Sequence, residues 1–277
     1  METNILVNKQ HYDHIYEQTQ IENIVHKAIE YKTFLDDAIK TDTSWHGMYY
    51  GGFRDRLAGK RILELGSGDG LNAIIMALLG GDVIANDISG ATELIINEIN
   101  NQIGTRVRPL TGDFRLMEFE AGSFDFIVGK AFLHHLTHDL ENEYLYKVSM
   151  LLKEEGEARF FEPAMNSKSL DRIRWLIPVP GRPSVLNKMA FQVWKENDPH
   201  PLRDNSSQHF QEVGKLYFDE INIILIGSIE RFCRLLPAGK INRIFRRWAH
   251  RIETTLPMWF RYPAARSQLI IFREPHH

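Results

Sequence analysis

Three glycines at alternate positions, with an acid just ahead of them, form the most chemically informative stretch of this sequence. Residues 61–70 read RILELGSGDG, in which an apolar run meets Gly66, Gly68 and Gly70 before a helix-like pattern begins. Alternating glycines let the backbone approach a ligand without a Cβ clash, and they present amides at a helix N-terminus. The stretch therefore predicts a binding turn for a nucleotide-like ligand.

Two ligand classes fit such a turn, and the acid distinguishes them. A dinucleotide fingerprint has its last glycine at position 71, where this chain has Leu71. Glu64 stands two residues ahead of the first glycine, and a carboxylate suits a cationic amino-acid group better than a pyrophosphate. The pattern favours a ligand that joins an adenosyl group to a charged amino acid.

Two further acids follow the next strand-like segments. Asp87 ends DVIAND, 21 residues after Gly66, the spacing at which an acid accepts hydrogen bonds from ribose hydroxyls. Asp113 lies beside Phe114 in TGDF, where a carboxylate can accept from an adenine amino group and an aromatic ring can line the base. Each feature alone is common in loops, so it is their succession that predicts a site.

The pattern of residues 60–163 supplies the elements that would hold these groups together. Strand-like runs alternate with helical segments, the last of which, LTHDLENEYLYKVSMLLKEEG, is predicted to end at Gly156. Such alternation predicts a parallel sheet with helices on both faces and ligands at the carboxyl ends of its strands. With FDEINIILIG and RSQLIIF as sixth and seventh strands, the expected fold is α/β, with a Rossmann-like, seven-stranded and mostly parallel sheet.

Four segments are predicted along the chain. Residues 1–59 are an N-terminal helical cover or flap with two helices, and residues 60–163 are the ligand-binding core. Residues 164–205 are an irregular, proline-rich capping insertion. Residues 206–277 complete the core sheet and carry a second, basic amphipathic insertion at residues 228–263.

Composition excludes several classes of protein. A net charge of -3 gives no global attraction to nucleic acid. The single cysteine, Cys233, excludes a disulfide framework and a multi-thiolate metal site. No signal peptide and no apolar run of membrane-spanning length are recognisable, so a cytoplasmic location is expected.

The motifs of residues 61–163 resemble those of the class I S-adenosylmethionine-dependent methyltransferase domain. ILELGSGDG matches the first family motif, VIANDIS the second, TGDF the third and FDFIVGKAFLHHL the fourth. The fourth motif, with LLKEEGEARFFEP after it, is typical of the branch that acts on small molecules and lipids. The resemblance implies S-adenosylmethionine as the cofactor. It also implies contacts to methionine, ribose and adenine by Glu64, Gly66, Ser67 and Gly68, by Asp87 and Ile88, and by Asp113 and Phe114, respectively.

One departure from the family pattern argues against one class of methyl acceptor, the nucleic acids. The Asn/Asp-Pro-Pro-aromatic motif of amino-directed nucleic-acid methyltransferases is replaced by GKAF, so no nucleic-acid partner is expected. Lys130 in this segment is interpreted either as a contact to the cofactor carboxylate or an anionic substrate, or as an exposed lysine.

Methyl transfer from a sulfonium needs a general base only when the nucleophile holds a proton of high pKa. His134 and His135, just past the fourth strand, are the candidate bases, and Glu162 at the end of the fifth strand is a candidate for orienting the substrate. A structural role is the alternative for each. No metal is expected, because a third ligand for a His134–His138 pair is not recognisable. Tyr12 and Tyr16 of the flap, with His200 of the first insertion, are candidate substrate contacts.

The second insertion carries a basic amphipathic helix. From Arg231 to Arg251 there are seven lysines and arginines and no acid, and Trp248 lies on the apolar face. Residues 240–252 are interpreted as a packed lid, as a lid over a hydrophobic acceptor with a phosphate, or as a peripheral contact with anionic lipid at the inner membrane face.

These features predict a methyltransferase that acts, by direct in-line displacement, on a small hydrophobic or lipid- or glycolipid-like natural-product acceptor. The alternatives are a protein or nucleic-acid methyltransferase, or a protein that binds the adenosyl cofactor without transferring methyl.

Overall fold

The computed structural model describes residues 2–16, 18–179, 182–196, 198 and 200–276, without the side chains of residues 2–4 and 171. In this part of the chain seven strands form one sheet in the order β3-β2-β1-β4-β5-β7-β6. β1 to β5 run parallel, and β7 is antiparallel to both β5 and β6. The predicted Rossmann-like, mostly parallel sheet is confirmed. The strands are β1 (Arg61–Leu65), β2 (Asp82–Asp87), β3 (Arg108–Thr111), β4 (Phe124–Lys130), β5 (Leu152–Pro163), β6 (Phe218–Ile226) and β7 (Ser267–Pro275).

Helices cover both faces of the sheet and bury an apolar core on each side. One core packs the N-terminal helices with α5 and α6, and the other packs α7 and α10. The helices are α1 (Glu2–Tyr16), α2 (Ile21–Ile29), α3 (Tyr31–Thr41), α4 (Thr43–Met48), α5 (Leu71–Leu78), α6 (Gly90–Ile103), α7 (His138–Leu151), α8 (Lys168–Leu176), α9 (Lys188–Glu196), α10 (Ser207–Gly214), α11 (Lys240–Glu253) and α12 (Met258–Ala264).

The N-terminal cover contains more helices than the two predicted. Its described residues form α1 to α4 and a 3-10 helix at Tyr50–Arg56. The Asp42 side chain accepts hydrogen bonds from the backbone amides of Ser44 and Trp45 and so starts α4 as a new helix. The predicted pair was wrong because the stretch assigned to two helices is divided again at Glu30, between α2 and α3, and because α4 forms in the segment predicted as a connector.

The boundary between α7 and β5 also differs from its prediction. The helix ends at Leu151 rather than at Gly156, and β5 begins at Leu152. Gly156 has no positive φ and caps no helix. Instead the strand bulges, because Phe124 pairs with Leu152 while Phe126 pairs with Glu157. A Cβ at Gly156 would come within 2.9 Å of the Lys153 carbonyl oxygen, so the glycine serves the bulge.

Two insertions lie beyond the carboxyl ends of the parallel strands. The first was predicted to be irregular but holds the helices α8 and α9, and the second holds a 3-10 helix at Glu230–Leu235, α11 and α12. Among the described residues no helix is both long and apolar enough to cross a bilayer.

Candidate active site

The turn after β1 contains glycines that combine positive φ with close neighbouring atoms, which favours glycine over other residues. Gly66 has φ +67°, and a Cβ there would lie 2.5 Å from a ring carbon of Phe132. Gly68 has φ +58°, and its Cβ would lie 2.9 Å from the Tyr16 hydroxyl. Positive φ and close neighbours together require glycine. The turn leads directly into the first residues of α5.

Glu64 lies beneath this turn, almost fully buried, with one oxygen engaged and the other free. Its Oε1 accepts a 2.7 Å hydrogen bond from Asn72 Nδ2, and the Tyr49 hydroxyl donates to Asn72 Oδ1 at 3.0 Å. Oε2 is buried without a hydrogen-bond partner among the described residues. Burial raises the pKa of Glu64 to about 8. A cationic group entering the cavity would supply the missing partner and favour the ionised carboxylate.

Asp87 ends β2 and closes the glycine turn from the side. Its Oδ2 accepts from the Gly68 amide at 2.8 Å, and its Oδ1 accepts from the Ser89 amide at 2.9 Å. Burial raises the pKa of Asp87 to about 6 despite these hydrogen bonds, which act in the opposite direction. The carboxylate is thus fixed in place by two backbone amides, and both Asp87 and the following residue, Ile88, line the cavity.

A cavity of about 550 Å³ lies over these strand ends and gathers most of the predicted site residues. That volume is within the range of small-molecule sites. The predicted residues in its lining are Tyr12, Tyr16, Glu64, Gly66, Ser67, Gly68, Asp87, Ile88, Lys130, His134, His135 and His200. Four other predicted residues, Asp113, Phe114, Glu162 and Trp248, are outside the lining.

The residues after β3 lie behind the cavity wall. Phe114 is fully buried in the core, and Asp113 accepts hydrogen bonds from the Arg115 guanidinium and from the Tyr144 hydroxyl. Burial acts to raise the pKa of Asp113, but the bonds from Arg115 hold it below its usual value. At this end the cavity is lined instead by Gly112 and Asn86. Sequence reasoning passed over both, although each stands directly before a residue that it selected.

Glu162 organises the turn after β4 from behind. Its carboxylate accepts from the backbone amides of Phe132 at 2.9 Å and Leu133 at 2.6 Å, and from His134 Nδ1 at 2.6 Å. The side chain is completely buried. Glu162 therefore positions His134 and does not itself reach the cavity. Ala131 begins the same turn at φ 60°, an uncommon conformation for a non-glycine residue.

Three histidines line the cavity next to this turn. The ring centroids of His134 and His135 lie 4.2 Å apart, and those of His135 and His200 lie 4.4 Å apart. Burial and the neighbouring imidazoles hold the pKa of His135 well below its usual range, so this ring is neutral. The Tyr12 hydroxyl, from α1, lies 3.3 Å from His135 Nε2.

α1, the helix predicted to act as a flap, contributes side chains to the lining of the cavity. Tyr12 and Tyr16 stack with ring centroids 5.5 Å apart, and both line the cavity. Asp13 of the same helix accepts a 2.5 Å hydrogen bond from the Ser89 hydroxyl. This bond ties α1 to the start of α6, beside Asp87.

Lys130, the last residue of β4, reaches the cavity edge. Its ammonium lies 4.1 Å from the centroid of the Trp45 ring, within cation–π range. The positive charge also opposes the burial that raises the pKa of Glu64. Lys130 is thus held between an aromatic face and the buried carboxyl group.

A second cavity, of about 540 Å³, lies between the two insertions and meets the first at Ala131 and His134. Most of its wall is apolar, with Leu170, Ile173, Phe232, Leu235 and Phe260 among its residues. The lining also contains five arginines and no acidic side chain among the described residues: Arg174, Arg182, Arg231, Arg234 and Arg266.

Arg234 shows the electrostatic character of this second cavity. Burial, together with the nearby Arg266 and Arg174, lowers the pKa of Arg234 to about 10. Arg266 pairs with Glu230 at 3.3 Å, so the cluster retains an excess of positive charge. An anionic group entering the cavity would relieve this repulsion.

The basic helix α11 packs against the rest of the protein through its charges. Arg243 and Arg247 both pair with Asp37 of α3, at 2.6 and 2.7 Å, and Arg246 pairs with Glu230 at 2.6 Å. Trp248 is 50% exposed and lies outside both cavities. The structure does not bring Trp248 to the site, although the spacing of α11 had suggested a substrate contact.

Comparison with known proteins agrees with this geometry. Residues 62–156 match the family model of a methyltransferase domain. The matched residues lie in the same part of the chain whose motifs resemble the class I S-adenosylmethionine-dependent methyltransferase domain, so the match supports that resemblance for this segment.

Individual relatives are distant. The protein N-lysine methyltransferase METTL21A of Danio rerio is 27% identical over 135 residues, which are 43% of this chain and 62% of that protein. The chain thus matches less than two thirds of that relative's length.

Solved structures share the fold. The geranyl diphosphate C-methyltransferase of Streptomyces coelicolor aligns with a TM-score of 0.53 at 14% identity over 80% of this chain and 76% of that one. A phosphoethanolamine N-methyltransferase of Haemonchus contortus has the same score and identity over 94% of this chain and 61% of that one.

Proposed function

We propose that this protein is an S-adenosylmethionine-dependent methyltransferase whose acceptor is a small, largely hydrophobic molecule that carries an anionic group. The observation that carries the proposal is the meeting of two cavities at Ala131 and His134. One cavity has the features of a cofactor seat, and the other is apolar and arginine-lined. The methyltransferase domain family supports the reaction class.

The residues of the first cavity fit the cofactor. Glu64, with its unpaired buried Oε2, would bind the ammonium of the methionine moiety. The amides of the Gly66–Gly68 turn would approach the same moiety, and Asp87 with Ile88 would bind the ribose. Asn86 and Gly112 line the end assigned to the adenine. Asp113 and Phe114 would not contact the adenine directly but would support the cavity wall at that end.

S-adenosylmethionine, when bound, supplies a methyl group on a sulfonium sulfur. The protein's own contribution to a direct in-line displacement is to align the acceptor and exclude water. α1 covers the cavity through Tyr12 and Tyr16. His134, held by Glu162, and the neutral His135 are placed to accept a proton from an acceptor hydroxyl or amine.

The second cavity supports the acceptor class. An apolar body would fit against Ile173 and Phe232, while the arginines around Arg234 would bind a phosphate, sulfate or carboxylate. A lipid- or glycolipid-like natural product has both features. The absence of acidic groups from the described lining favours an anion over a cationic acceptor.

A peripheral contact with an anionic membrane belongs to the same proposal. Ile241, Ile244 and Trp248 of α11 are 65%, 54% and 50% exposed, and Trp259 of α12 is 78% exposed. They lie on the insertions that form the second cavity. Apolar side chains flanked by arginines are the pattern of an interfacial helix. An acceptor drawn from the membrane surface would then enter the cavity directly.

Protein lysine methylation is the second candidate, and the match to the lysine methyltransferase of Danio rerio favours it. The two candidates differ in the charge that the acceptor brings to the site. A lysine side chain is cationic and would meet the arginines of the second cavity unfavourably, whereas an anionic amphiphile would pair with them.

Direct binding of an anionic amphiphile to the second cavity tests the proposal. Dodecyl phosphate is a suitable probe, with isothermal titration calorimetry on the full chain as the measurement. We expect binding that weakens about tenfold in Arg234→Ala, the loss of one charged contact worth about 1.4 kcal/mol, and that is unchanged in Arg243→Ala, whose guanidinium pairs with Asp37 outside the cavity. Equal binding by both variants would refute the acceptor assignment. Transfer of labelled methyl from S-adenosylmethionine to a lysine peptide, but to no lipid fraction, would favour the second candidate.

A further inference from the structure

We propose that His134, His135 and His200 form a binding site for a divalent transition-metal ion of the zinc or cobalt type, in the cofactor cavity beside the second cavity. One nitrogen from each ring lies within 4.8 Å of the other two. The site goes beyond the proposed function, because direct displacement does not itself require a metal. His134 and His135 would act as proton acceptors only in the metal-free protein, since a ring nitrogen that binds a metal cannot accept a proton at the same lone pair.

The three rings come from two separate segments that converge on one point. His134 and His135 belong to the 3-10 turn Leu133–His135 after β4, and His200 belongs to the first insertion. Their centroids are separated by 4.2, 4.4 and 5.0 Å. Metal–nitrogen bonds of about 2.0–2.1 Å in tetrahedral geometry need nitrogens about 3.4 Å apart. Binding therefore requires the rings to move closer together than the 4.8 Å limit, and His200, which is exposed, has the most room to move together with its partner Asp198.

Carboxylates stand behind two of the three rings. Glu162 Oε2 lies 2.6 Å from Nδ1 of His134, and Asp198 Oδ1 is hydrogen-bonded to Nδ1 of His200. Such a partner fixes the tautomer with the proton on Nδ1 and leaves Nε2 as the ligand. The two carboxylates also balance the charge of a divalent cation. Two carboxylate–histidine pairs at one point match the arrangement found behind protein metal ligands.

His135 completes the set from the buried side. Its Nδ1 is buried and makes no hydrogen bond of normal geometry to the described residues, and its Nε2 has only a long 3.3 Å contact with Tyr12. A buried ring nitrogen without a good partner costs free energy. A metal ion bound through Nδ1 of His135 would remove this cost.

The ligand types define the class of ion. Three imidazoles favour zinc, cobalt, nickel or copper over magnesium and calcium, which prefer oxygen. Three protein ligands also leave a coordination position open, as in catalytic rather than structural sites. His134 lines both cavities, so an acceptor oxygen or nitrogen can reach that open position.

A second cluster, His138, Glu141 and His209, provides an internal control. There the Glu141 carboxylate is already occupied by Arg203 and by His209 at 2.6 Å. Because its charge is neutralised by a guanidinium, this cluster is not proposed as a metal site.

Cobalt substitution tests the proposal on the full chain. After dialysis against a chelator, Co²⁺ is titrated, and both its d–d absorption and its heat of binding are recorded. We expect one equivalent to bind with a strong visible band in the wild type. The band should be lost in His200→Ala, with at least a tenfold loss of affinity. Asp198→Asn, which keeps all three rings, should weaken binding about tenfold, the lower end of the range for a supporting carboxylate.

His209→Ala is the matched control, and its titration should equal that of the wild type. The folding of each variant is checked by its thermal melt without metal. The proposal is overturned if wild type and His200→Ala bind Co²⁺ equally, if the band disappears in His209→Ala instead, or if no band forms at all. None of these outcomes bears on cofactor binding, so failure here is distinguishable from failure of the proposed function.

Discussion

Replacing Glu64 by glutamine should strengthen the ligand-free fold at high pH while removing the cofactor contact. Burial raises the pKa of Glu64 from 4.5 to about 8. The unfolded chain therefore releases the proton near pH 4.5, while the folded protein holds it to about pH 8. Stability falls as pH rises through this window and then levels off.

The size of the effect follows from the same values. At about 1.4 kcal/mol per pH unit, the carboxyl group costs the folded wild type about 4 kcal/mol at pH 8 and about 1 kcal/mol at pH 5. A glutamine keeps the bond from Asn72, but its buried amide donor lacks an acceptor, a cost of about 2 kcal/mol at either pH. Glu64→Gln should therefore be more stable than the wild type by about 2 kcal/mol at pH 8 and less stable by about 1 kcal/mol at pH 5.

Denaturant unfolding at the two pH values measures this reversal. The control is Glu98→Gln, a glutamate on the solvent-exposed side of α6, which should change stability little at either pH. Calorimetry with S-adenosylhomocysteine gives the second readout, with an expected loss of affinity of about 10- to 100-fold for a charge-assisted bond. A variant that is equally destabilised at both pH values, or that binds S-adenosylhomocysteine as the wild type does, would refute the reasoning.

Three further predictions concern the turn, the second strand and the insertions. Asp87→Asn should weaken S-adenosylhomocysteine binding about tenfold in calorimetry. The affinity of the wild type should decrease below pH 6, because Asp87, with its pKa of about 6, is then protonated. An affinity that stays constant from pH 5 to 8 would contradict this prediction. Gly66→Ala should lower the free energy of unfolding in denaturant by about 3 kcal/mol, because it adds a 2.5 Å clash with Phe132 to backbone strain. The control Gly59→Ala, at φ +72° with nothing within 4 Å, should lower it by only about 1 kcal/mol. Equal losses of stability in the two variants would be inconsistent with the clash. Trp248→Ala should reduce flotation with vesicles that contain anionic lipid, and failure of the wild type to float would leave α11 as a packed lid.

The gathering of the glycine turn and Asp87 at one cavity was predictable because its signals are local. Gly66, Gly68 and Asp87 are each fixed by the strand end on which they stand, and parallel strands end at one edge of a sheet. The sheet was predictable for the same reason, since its alternating pattern runs along the chain.

The rest depends on contacts between distant segments. Glu162 was chosen as a substrate-orienting acid, but only the fold shows that it is buried behind His134. Asp198 is hydrogen-bonded to His200, and no motif announces this pair. The five arginines of the second cavity likewise come from segments that share no motif. Phe114 stands at the position that the motif predicts for an adenine contact, but its side chain is buried in the core.

A crystal structure with S-adenosylhomocysteine tests the central claim most directly. The account predicts the ammonium of the ligand on Glu64, its ribose on Asp87 and its sulfur facing Ala131 and His134, where the second cavity opens. A ligand whose sulfur points away from that opening, or that occupies a different cavity, would contradict the account.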